Sequence, residues 1–369
     1  MFDAIFHMFE VKQELMNKLN VINPNTDRVI IFINLEMVMN ILLNPRNNNK
    51  AKAFNDINKI KIELISHIVN LASHYKLYCE KRRIDSKIVL YWNYPYSDFM
   101  NNSKFIPEYR SNYLSKFKDN ISCDYLSRCI DECYSFTRVL INYLDGIYLV
   151  NSNQIESGVI PLIFKNSKMF EEGACDTQYV LVSNFTYEYQ YVNNGFTILE
   201  PGGDDSKIVN RNNVINVMKD RFNIKNQESI SPNMIPFAIS LMGDRYRNIS
   251  KMQGVGLSHV IGVVNRAIEQ LLITENTTNI EMLSSIITDS YREQFIKNYQ
   301  SVDINEQFKV LNESELDVIY KQIEDKFDDN ALYKINDKNF KSNPLRLVDS
   351  RRRRILSGGY ERKSVFSNK

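Results

Sequence analysis

The sequence predicts an α/β protein with a mainly parallel sheet that helices flank on both faces. Short apolar runs rich in β-branched residues, such as residues 28–33, lack the alternation of a half-exposed strand and are typical of strands buried on both faces. These runs alternate along the chain with stretches of helical length and periodicity. The composition agrees, since 43% hydrophobic and 24% charged residues exclude a wholly disordered or fibrous chain.

The first half of the chain predicts its elements in a regular order. After the strand at residues 28–33, a helical pattern over residues 35–43 stops at Asn44-Pro45, because proline cannot continue a helix. Residues 57–78 form an amphipathic stretch with apolar side chains at helical spacing. Further strands are predicted at residues 87–92, 146–150, 178–182 and 194–199, and further helices at residues 125–144 and 157–164.

The pattern changes after Glu200-Pro201-Gly202-Gly203, where helical patterns replace the strands. They cover residues 214–222, 235–242 and 257–273, with weaker ones over residues 280–299 and 313–327. We therefore predict three units. They are an α/β domain over residues 1–205, a helical subdomain over residues 206–300, and a helical extension with a basic tail over residues 301–369.

The net charge of +2 hides a basic tail on a slightly acidic body. Residues 341–369 contain nine Lys or Arg and two Asp or Glu, a local charge of +7 that leaves −5 on the remaining residues. The tail centres on a run of four arginines, Arg351, Arg352, Arg353 and Arg354. Such a run could contact nucleic acid or an acidic protein surface, or only solvent.

The cysteines and the N-terminus predict an intracellular protein without a membrane partner. Five cysteines without a CxxC pair indicate free thiols in a reducing compartment, and Cys129 and Cys133 share a helix face as buried thiols. No apolar run approaches the roughly 18 residues of a membrane span, and Asp3 and Glu10 stand where a signal peptide is basic. Frequent Asn, Ile, Lys and Tyr accompany A/T-rich coding, as in many phages, other viruses and some parasites. Among these sources we expect a viral one, with the protein in the host cytoplasm or the virion.

Polar residues follow the predicted strands at the place where parallel sheets bind ligands. Asn34 and Glu36 follow the first strand, and Asn93 follows the second. Glu156 follows the third strand, and residues 183–187 follow the fourth. The carboxyl ends of parallel strands lie at one edge of the sheet, so these residues form the candidate site.

A glycine-bearing segment between two predicted helices adds a second signal. Gly254-Val255-Gly256 opens the helix at residues 257–273, where two glycines let a backbone approach a phosphate closely. It is preceded by Gly243-Asp244-Arg245-Tyr246-Arg247-Asn248-Ile249. The whole segment resembles Gly-Asp-x-x-Asp-Asn-Ile-x-x-Val-x-Gly-Ile-Gly of the 5′-nuclease family, the flap endonucleases and phage 5′→3′ exonucleases of the PIN-like fold. In that family it opens a helix–hairpin–helix-type motif that grips duplex DNA.

Three further partial matches occur in the order of the family. Residues 105–113 resemble Tyr-Pro-x-Tyr-Lys-x-x-Arg, residues 153–160 occupy the place of Glu-Ala-Asp-Asp, and residues 182–190 that of Ser-x-Asp-x-Asp-(aromatic)-x-Gln-Leu. The resemblance spans roughly residues 28–270 and implies a PIN-like domain, a helix–hairpin–helix-like subdomain and a DNA or RNA partner. The nucleic-acid contacts that we predict are Arg110, Lys251, Gly254, Val255, Gly256, Ser258 and the arginines of the tail.

Most acidic positions of the family carry other residues here. Active members cluster six or more carboxylates around two divalent ions, because Mg²⁺ requires hard anionic oxygens. The family's acids are replaced by Asn34, Asn93, Gln154, Ser157, Phe185 and Tyr187. Glu156 and Asp244 keep their acidity as vestigial metal ligands, although Glu156 also suits a helix N-terminus and Asp244 a turn cap. The resemblance therefore implies a degenerate metal site and no resident cofactor.

Three functions follow from these observations. The first is a non-catalytic nucleic-acid-binding or scaffolding subunit of a viral replication, transcription or virion complex. The second is a divergent nuclease that holds Mg²⁺ or Mn²⁺ with Glu156, Asp244 and a relocated acid, for which the candidates are Glu36, Glu188, Asp204 and Asp205. The third is a structural virion protein that binds no nucleic acid and docks its basic tail on an acidic protein partner.

Overall fold

A computed structural model provides the fold of this chain. It describes residues 22–23, 25–43, 57–93, 106, 123–141, 144, 146–152, 156–167, 176–200, 207–222, 231–244, 247–253, 257–270 and 280–324. Among the helices of these segments, none is both long and apolar enough to cross a membrane.

The described strands form one mainly parallel sheet, which confirms the predicted α/β class. The strands are β1 (Arg28–Asn34), β2 (Asp85–Asn93), β3 (Ile147–Ser152), β4 (Thr177–Val182), β5 (Phe196–Glu200) and β6 (Lys207–Val209). Their order is β3-β2-β1-β4-β5-β6, and every pairing is parallel except that of β6 with β5. Strand β6 was not predicted, because a strand of three residues has no measurable periodicity and depends on its partner.

Helices of both halves begin and end close to their predicted positions. Those of the first half are α1 (Leu35–Leu43), α2 (Ile57–Arg82), α3 (Cys123–Ile141) and α4 (Ile160–Ser167). Those of the second half are α5 (Val214–Phe222), α6 (Met234–Met242), α7 (Leu257–Glu269), α8 (Ile280–Ser285), α9 (Asp289–Val302), α10 (Ile304–Lys309) and α11 (Glu313–Glu324). The pattern predicted over residues 280–299 is divided between α8 and α9. The predicted helix at residues 157–164 begins as a 3₁₀ helix, Ser157–Val159.

The sheet separates two hydrophobic cores, as expected for strands buried on both faces. Along β1, Ile31 and Ile33 pack with α1, α2 and α3, whereas Ile30 and Phe32 pack with α4 and the helices of the second half. The predicted buried thiols Cys129 and Cys133 are free and lie in the first of these cores.

The last described helix packs on the edge strand of the sheet. The backbone N–H of Asn151 in β3 donates to Gln322 Oε1 at 2.8 Å, and Gln322 Nε2 donates to the Asn151 carbonyl at 2.9 Å. Ile319 and Ile323 of α11 are buried in the same core as Phe164. Part of the predicted extension therefore belongs to the folded body, and the division of the chain into three units stays a prediction.

Candidate functional site

The carboxyl edge of the sheet gathers polar side chains from four strands. Asn34 ends β1, Asn93 ends β2, Glu156 follows β3 and Ser183 follows β4. All four are buried, with Glu156 the most exposed at 4%. The predicted convergence of residues at this edge follows from the parallel pairing of β1 with both β2 and β4.

Asn34 uses both ends of its amide. Its Oδ1 accepts hydrogen bonds from the backbone N–H groups of Glu36 at 2.9 Å and Met37 at 3.3 Å, at the beginning of α1. Its Nδ2 donates to Glu188 Oε1 at 3.0 Å. An aspartate at this position could not donate to Glu188 without taking up a proton, so the amide matches its partner.

Asn93 also makes hydrogen bonds with both ends of its amide. Its Nδ2 donates to the carbonyl of Ser152 at 3.2 Å, and its Oδ1 accepts from the backbone N–H of Ser157 at 2.9 Å. These contacts join the end of β2 to the end of β3 and to the 3₁₀ helix next to Glu156. Asn93 therefore orients the Glu156 segment.

Glu188 places a carboxyl group in the interior of the site. It lies on a second 3₁₀ helix, Thr186–Val192, and is 0% exposed. Its Oε1 accepts hydrogen bonds from Asn34, from the Tyr91 hydroxyl at 2.9 Å and from the Tyr187 hydroxyl at 3.3 Å. Burial raises the pKa of Glu188 to about 7, although hydrogen bonds from Ser183, Tyr91 and Asn34 oppose the rise.

Tyr187 fills the space beside Glu156. A Cβ atom added to Gly158 would lie 3.1 Å from the Tyr187 hydroxyl and 3.6 Å from Glu156 Cγ, so the phenol packs directly on this glycine. Burial raises the pKa of Tyr187, and the nearby carboxyl groups of Glu188, Glu156 and Glu36 raise it further, whereas Arg247 lowers it. The Tyr187 hydroxyl therefore lies among three acidic side chains.

Arg247 brings a positive charge to the same place. Its guanidinium carbon lies 3.9 Å from the centroid of the Tyr187 ring. Its Nη1 lies 2.5 Å from Asp244 Oδ2, and its backbone N–H donates to Asp244 Oδ1 at 3.2 Å. Asp244 thus has the local turn contact that the sequence also suggested. Arg247 connects it to the ring that packs beside Glu156.

Gln190 ties the second 3₁₀ helix to the helices of the second half. The side chain is 2% exposed. Its Nε2 donates to the carbonyls of Tyr187 at 2.8 Å and Val302 at 3.2 Å, and its Oε1 accepts from the backbone N–H of Ile304 at 3.1 Å. These contacts give Gln190 a structural role.

Removing these contacts should cost stability. We expect Gln190→Leu to lower the free energy of unfolding by about 3 kcal/mol, because a buried donor and two buried acceptors lose their partner. Urea unfolding followed by the fluorescence of Trp92, which is fully buried and the single tryptophan of the chain, measures this loss. Gln270→Leu, at an exposed position, should change the free energy by less than about 0.5 kcal/mol. Equal losses in the two variants would contradict the assigned role.

The structure places only part of the predicted site residues. Glu156 lies near Tyr187, Asp244 pairs with Arg247, and Lys251 is exposed on the segment that follows Asp244. Ser258 lies in the first turn of α7. Other predicted contacts lie outside the described residues, namely Arg110, Gly254, Val255, Gly256, Arg351, Arg352, Arg353 and Arg354.

The roles of Arg247 and Tyr91 were not predicted from the sequence. Arg247 had a signal, because it stands where the family segment Gly-Asp-x-x-Asp-Asn-Ile has its second aspartate. Tyr91 had none, since it lies in an apolar strand. Within the described segments, no three His, Cys, Asp or Glu side chains are arranged to hold a metal ion.

Comparison with known proteins gives structural matches only. No family model matches the chain, and no curated protein matches its sequence. The fold is similar to that of the D15 protein of phage T5, crystallised with metal ions, at 12% identity and a TM-score of 0.48 over 81% of this chain and 98% of that one. A pseudo-enzyme–product complex of the D15 flap endonuclease with DNA and metal ions matches at 12% identity, with 81% and 99% coverage and a TM-score of 0.48.

A third structure, the T5 5′-exonuclease with bound zinc, matches at 11% identity over 81% of this chain and 100% of that one, with a TM-score of 0.48. These likenesses concern the fold alone. At this identity, the likeness transfers no residue role.

Proposed function

We propose that this protein is a catalytically degenerate 5′-nuclease-like protein that acts as a non-catalytic nucleic-acid-binding or scaffolding subunit of a viral complex. The observation that carries the proposal is the contact of Arg247 with Tyr187 and Asp244 at the carboxyl edge of the sheet. In the family segments, Arg247 and Tyr187 both stand at acidic positions. One has become a cation and the other a bulky ring.

These residues do not fit a pair of divalent ions. Mg²⁺ and Mn²⁺ bind through anionic oxygens, whereas the amides of Asn34 and Asn93 are neutral and engaged in hydrogen bonds with the protein. The guanidinium of Arg247 would repel a metal ion held by Asp244, because it already lies against that carboxylate. We therefore assign no catalytic step to this site.

Nucleic-acid binding is supported by the segments that do not depend on metal. Lys251 is exposed just before Gly254-Val255-Gly256, the segment that resembles the family's DNA-gripping motif. The basic tail provides a second region of positive charge. A body that keeps these features without the metal ligands suits a protein that holds nucleic acid without cleaving it.

A divergent nuclease is the second candidate, and the position of Glu188 favours it. This carboxyl group accepts a hydrogen bond from Asn34, so an acidic side chain from another segment lies at the end of β1. With Glu156 and Asp244 it would supply carboxyl oxygens from three segments, provided that metal binding draws them together, because within the described residues they are not arranged to hold an ion.

One experiment separates the candidates. Labelled 5′-flap, duplex and single-stranded DNA are incubated with the protein in Mg²⁺, in Mn²⁺ and in chelator, and binding and cleavage are read from the same samples. We expect binding without cleavage, unchanged by the chelator. Cleavage that needs metal and disappears in Asp244→Ala would establish the divergent nuclease. Neither binding nor cleavage would favour the structural virion protein.

Charge reversal on the segment after Asp244 locates the binding surface. Lys251→Glu should weaken binding by about three- to tenfold and reduce its salt dependence by about one phosphate contact. Lys207→Glu makes the same charge change at an exposed position of edge strand β6 and should leave the affinity nearly unchanged. Equal weakening in both variants would indicate a general charge effect and contradict a contact at Lys251.

A further inference from the structure

We infer that Arg247 is a resident cation that fastens the Asp244 loop to the carboxyl edge of the sheet, so that this loop is ordered without a divalent ion. The Asp244 loop comprises residues 243–253, of which 245 and 246 lie outside the described part of the chain. The inference concerns the site of the proposed function. Its test contains no nucleic acid, so the two can fail separately.

The Asp244 loop is closed by its own backbone. The N–H of Asp244 donates to the carbonyl of Ile249 at 3.0 Å, and the N–H of Ile249 donates to the carbonyl of Asp244 at 2.9 Å. Gly243 enters the loop with a positive φ of 73°. The turn is therefore a compact unit that a single side chain can anchor.

A buried asparagine holds the same loop to the helices of the second half. Asn298 of α9 donates from Nδ2 to the carbonyls of Ser240 and Ser250, both at 2.9 Å. The N–H of Met252 donates to the carbonyl of Leu241 at 3.2 Å. These contacts attach the loop to α6 and α9, and none of them involves the sheet.

Arg247 makes the connection to the sheet. Its side chain is 14% exposed, pairs with Asp244 and lies over the ring of Tyr187. The hydroxyl of Tyr187 in turn donates to Glu188, which contacts Asn34 at the end of β1. A continuous series of contacts therefore runs from the Asp244 loop to the first strand.

Charge explains why a cation is needed at this point. Tyr187 lies within the electrostatic influence of Glu36, Glu156 and Glu188, and Asp244 adds a fourth acid beside Arg247. Buried carboxylates are costly unless a cation or a proton compensates them. An arginine keeps its charge at every accessible pH, so it provides this compensation permanently.

Hydrogen exchange of the Asp244 loop tests the inference. In the wild-type protein, the exchange rates of the amides of residues 247–253 should agree within about twofold in Mg²⁺, in Mn²⁺ and in chelator. Arg247→Gln should accelerate the exchange of the Ile249 amide by about tenfold. Arg247→Lys keeps the charge but loses the planar stack, so its exchange rate should lie between those of the wild type and Arg247→Gln. Arg266→Gln removes an exposed arginine of α7 and should change nothing in the loop.

Tyr187→Leu separates fastening to the sheet from stabilisation of the turn itself. This variant leaves the Asp244–Arg247 pair in place but removes the ring, so the exchange of Ile249 should still accelerate several-fold. Trp92 fluorescence verifies that each variant is folded. If Arg247→Gln does not fold, the exchange rates of Ile249 in Arg247→Lys and Tyr187→Leu test the inference instead. Loop protection that appears only with a divalent ion, or that survives both loss of the guanidinium and loss of the ring, would overturn the inference.

Discussion

Gly243→Ala should lower the free energy of unfolding by about 3 kcal/mol and abolish the order of the Asp244 loop. Gly243 has φ 73° and ψ 167°, a backbone conformation that is nearly restricted to glycine. An added Cβ would lie 2.6 Å from the backbone nitrogen of Lys251 and 2.7 Å from the carbonyl oxygen of Ile249. Both neighbours are backbone atoms, and the Ile249 carbonyl accepts the hydrogen bond from the Asp244 N–H that closes the turn, so making room for the Cβ would disturb the turn.

A second glycine provides the matched control. Gly262 lies in α7, and a Cβ added there meets no atom within 4 Å. Gly262→Ala should therefore stabilise the protein by about 0.5–1 kcal/mol, because alanine has the higher helix propensity. Urea unfolding followed by Trp92 fluorescence measures both variants. A Gly243→Ala protein as stable as the wild type would show that the loop does not need this backbone conformation.

Glu188→Gln should make the protein more stable than the wild type at pH 8 but not at pH 4.5. The pKa of Glu188 is raised from 4.5 to about 7 in the folded state, so the folded protein keeps a proton that the unfolded chain has already released. Stability is therefore lost as the pH rises from about 4.5 to 7, by about 3 kcal/mol. Glutamine mimics the protonated carboxyl group at every pH, so the variant escapes this loss.

The measurement is the difference in unfolding free energy between variant and wild type across pH 4.5 to 8. Burial lowers the pKa of His67 to about 4, which makes stability fall as the pH drops from 6.5. Both proteins share this effect, so it cancels in the difference. Glu293→Gln is the sign control. The hydrogen bond from Lys297 lowers the pKa of the exposed Glu293, so this variant should be slightly less stable than the wild type at pH 8. A difference for Glu188→Gln that does not change with pH would contradict the buried, proton-holding carboxyl group.

The fold was predictable wherever local periodicity decides the structure. The helical patterns at residues 35–43 and 214–222 have the same bounds as α1 and α5, and the buried strand pattern located β1. The second 3₁₀ helix and α10 could not be predicted in this way. Six of the seven residues of Thr186–Val192 are buried, and five of these six alternate between tyrosine and a polar residue. Nothing in that pattern distinguishes a 3₁₀ helix from a strand.

In the candidate site, too, the identity of the residues could be predicted from the sequence, whereas their long-range contacts could not. The sequence by itself determined that Asn34, Asn93, Phe185 and Tyr187, which carry no charge, follow the predicted strands. Their comparison with the acidic positions of the 5′-nucleases stays a prediction from the resemblance. Only the tertiary structure decided that Glu188 lies against Asn34, a residue 154 positions away. It also decided that Arg247 lies over Tyr187. Such contacts depend on the placement of β4 beside β1 and on the packing of α6 against the second 3₁₀ helix. Long-range side-chain geometry of this kind has no local signature, so it appears only when the chain is folded.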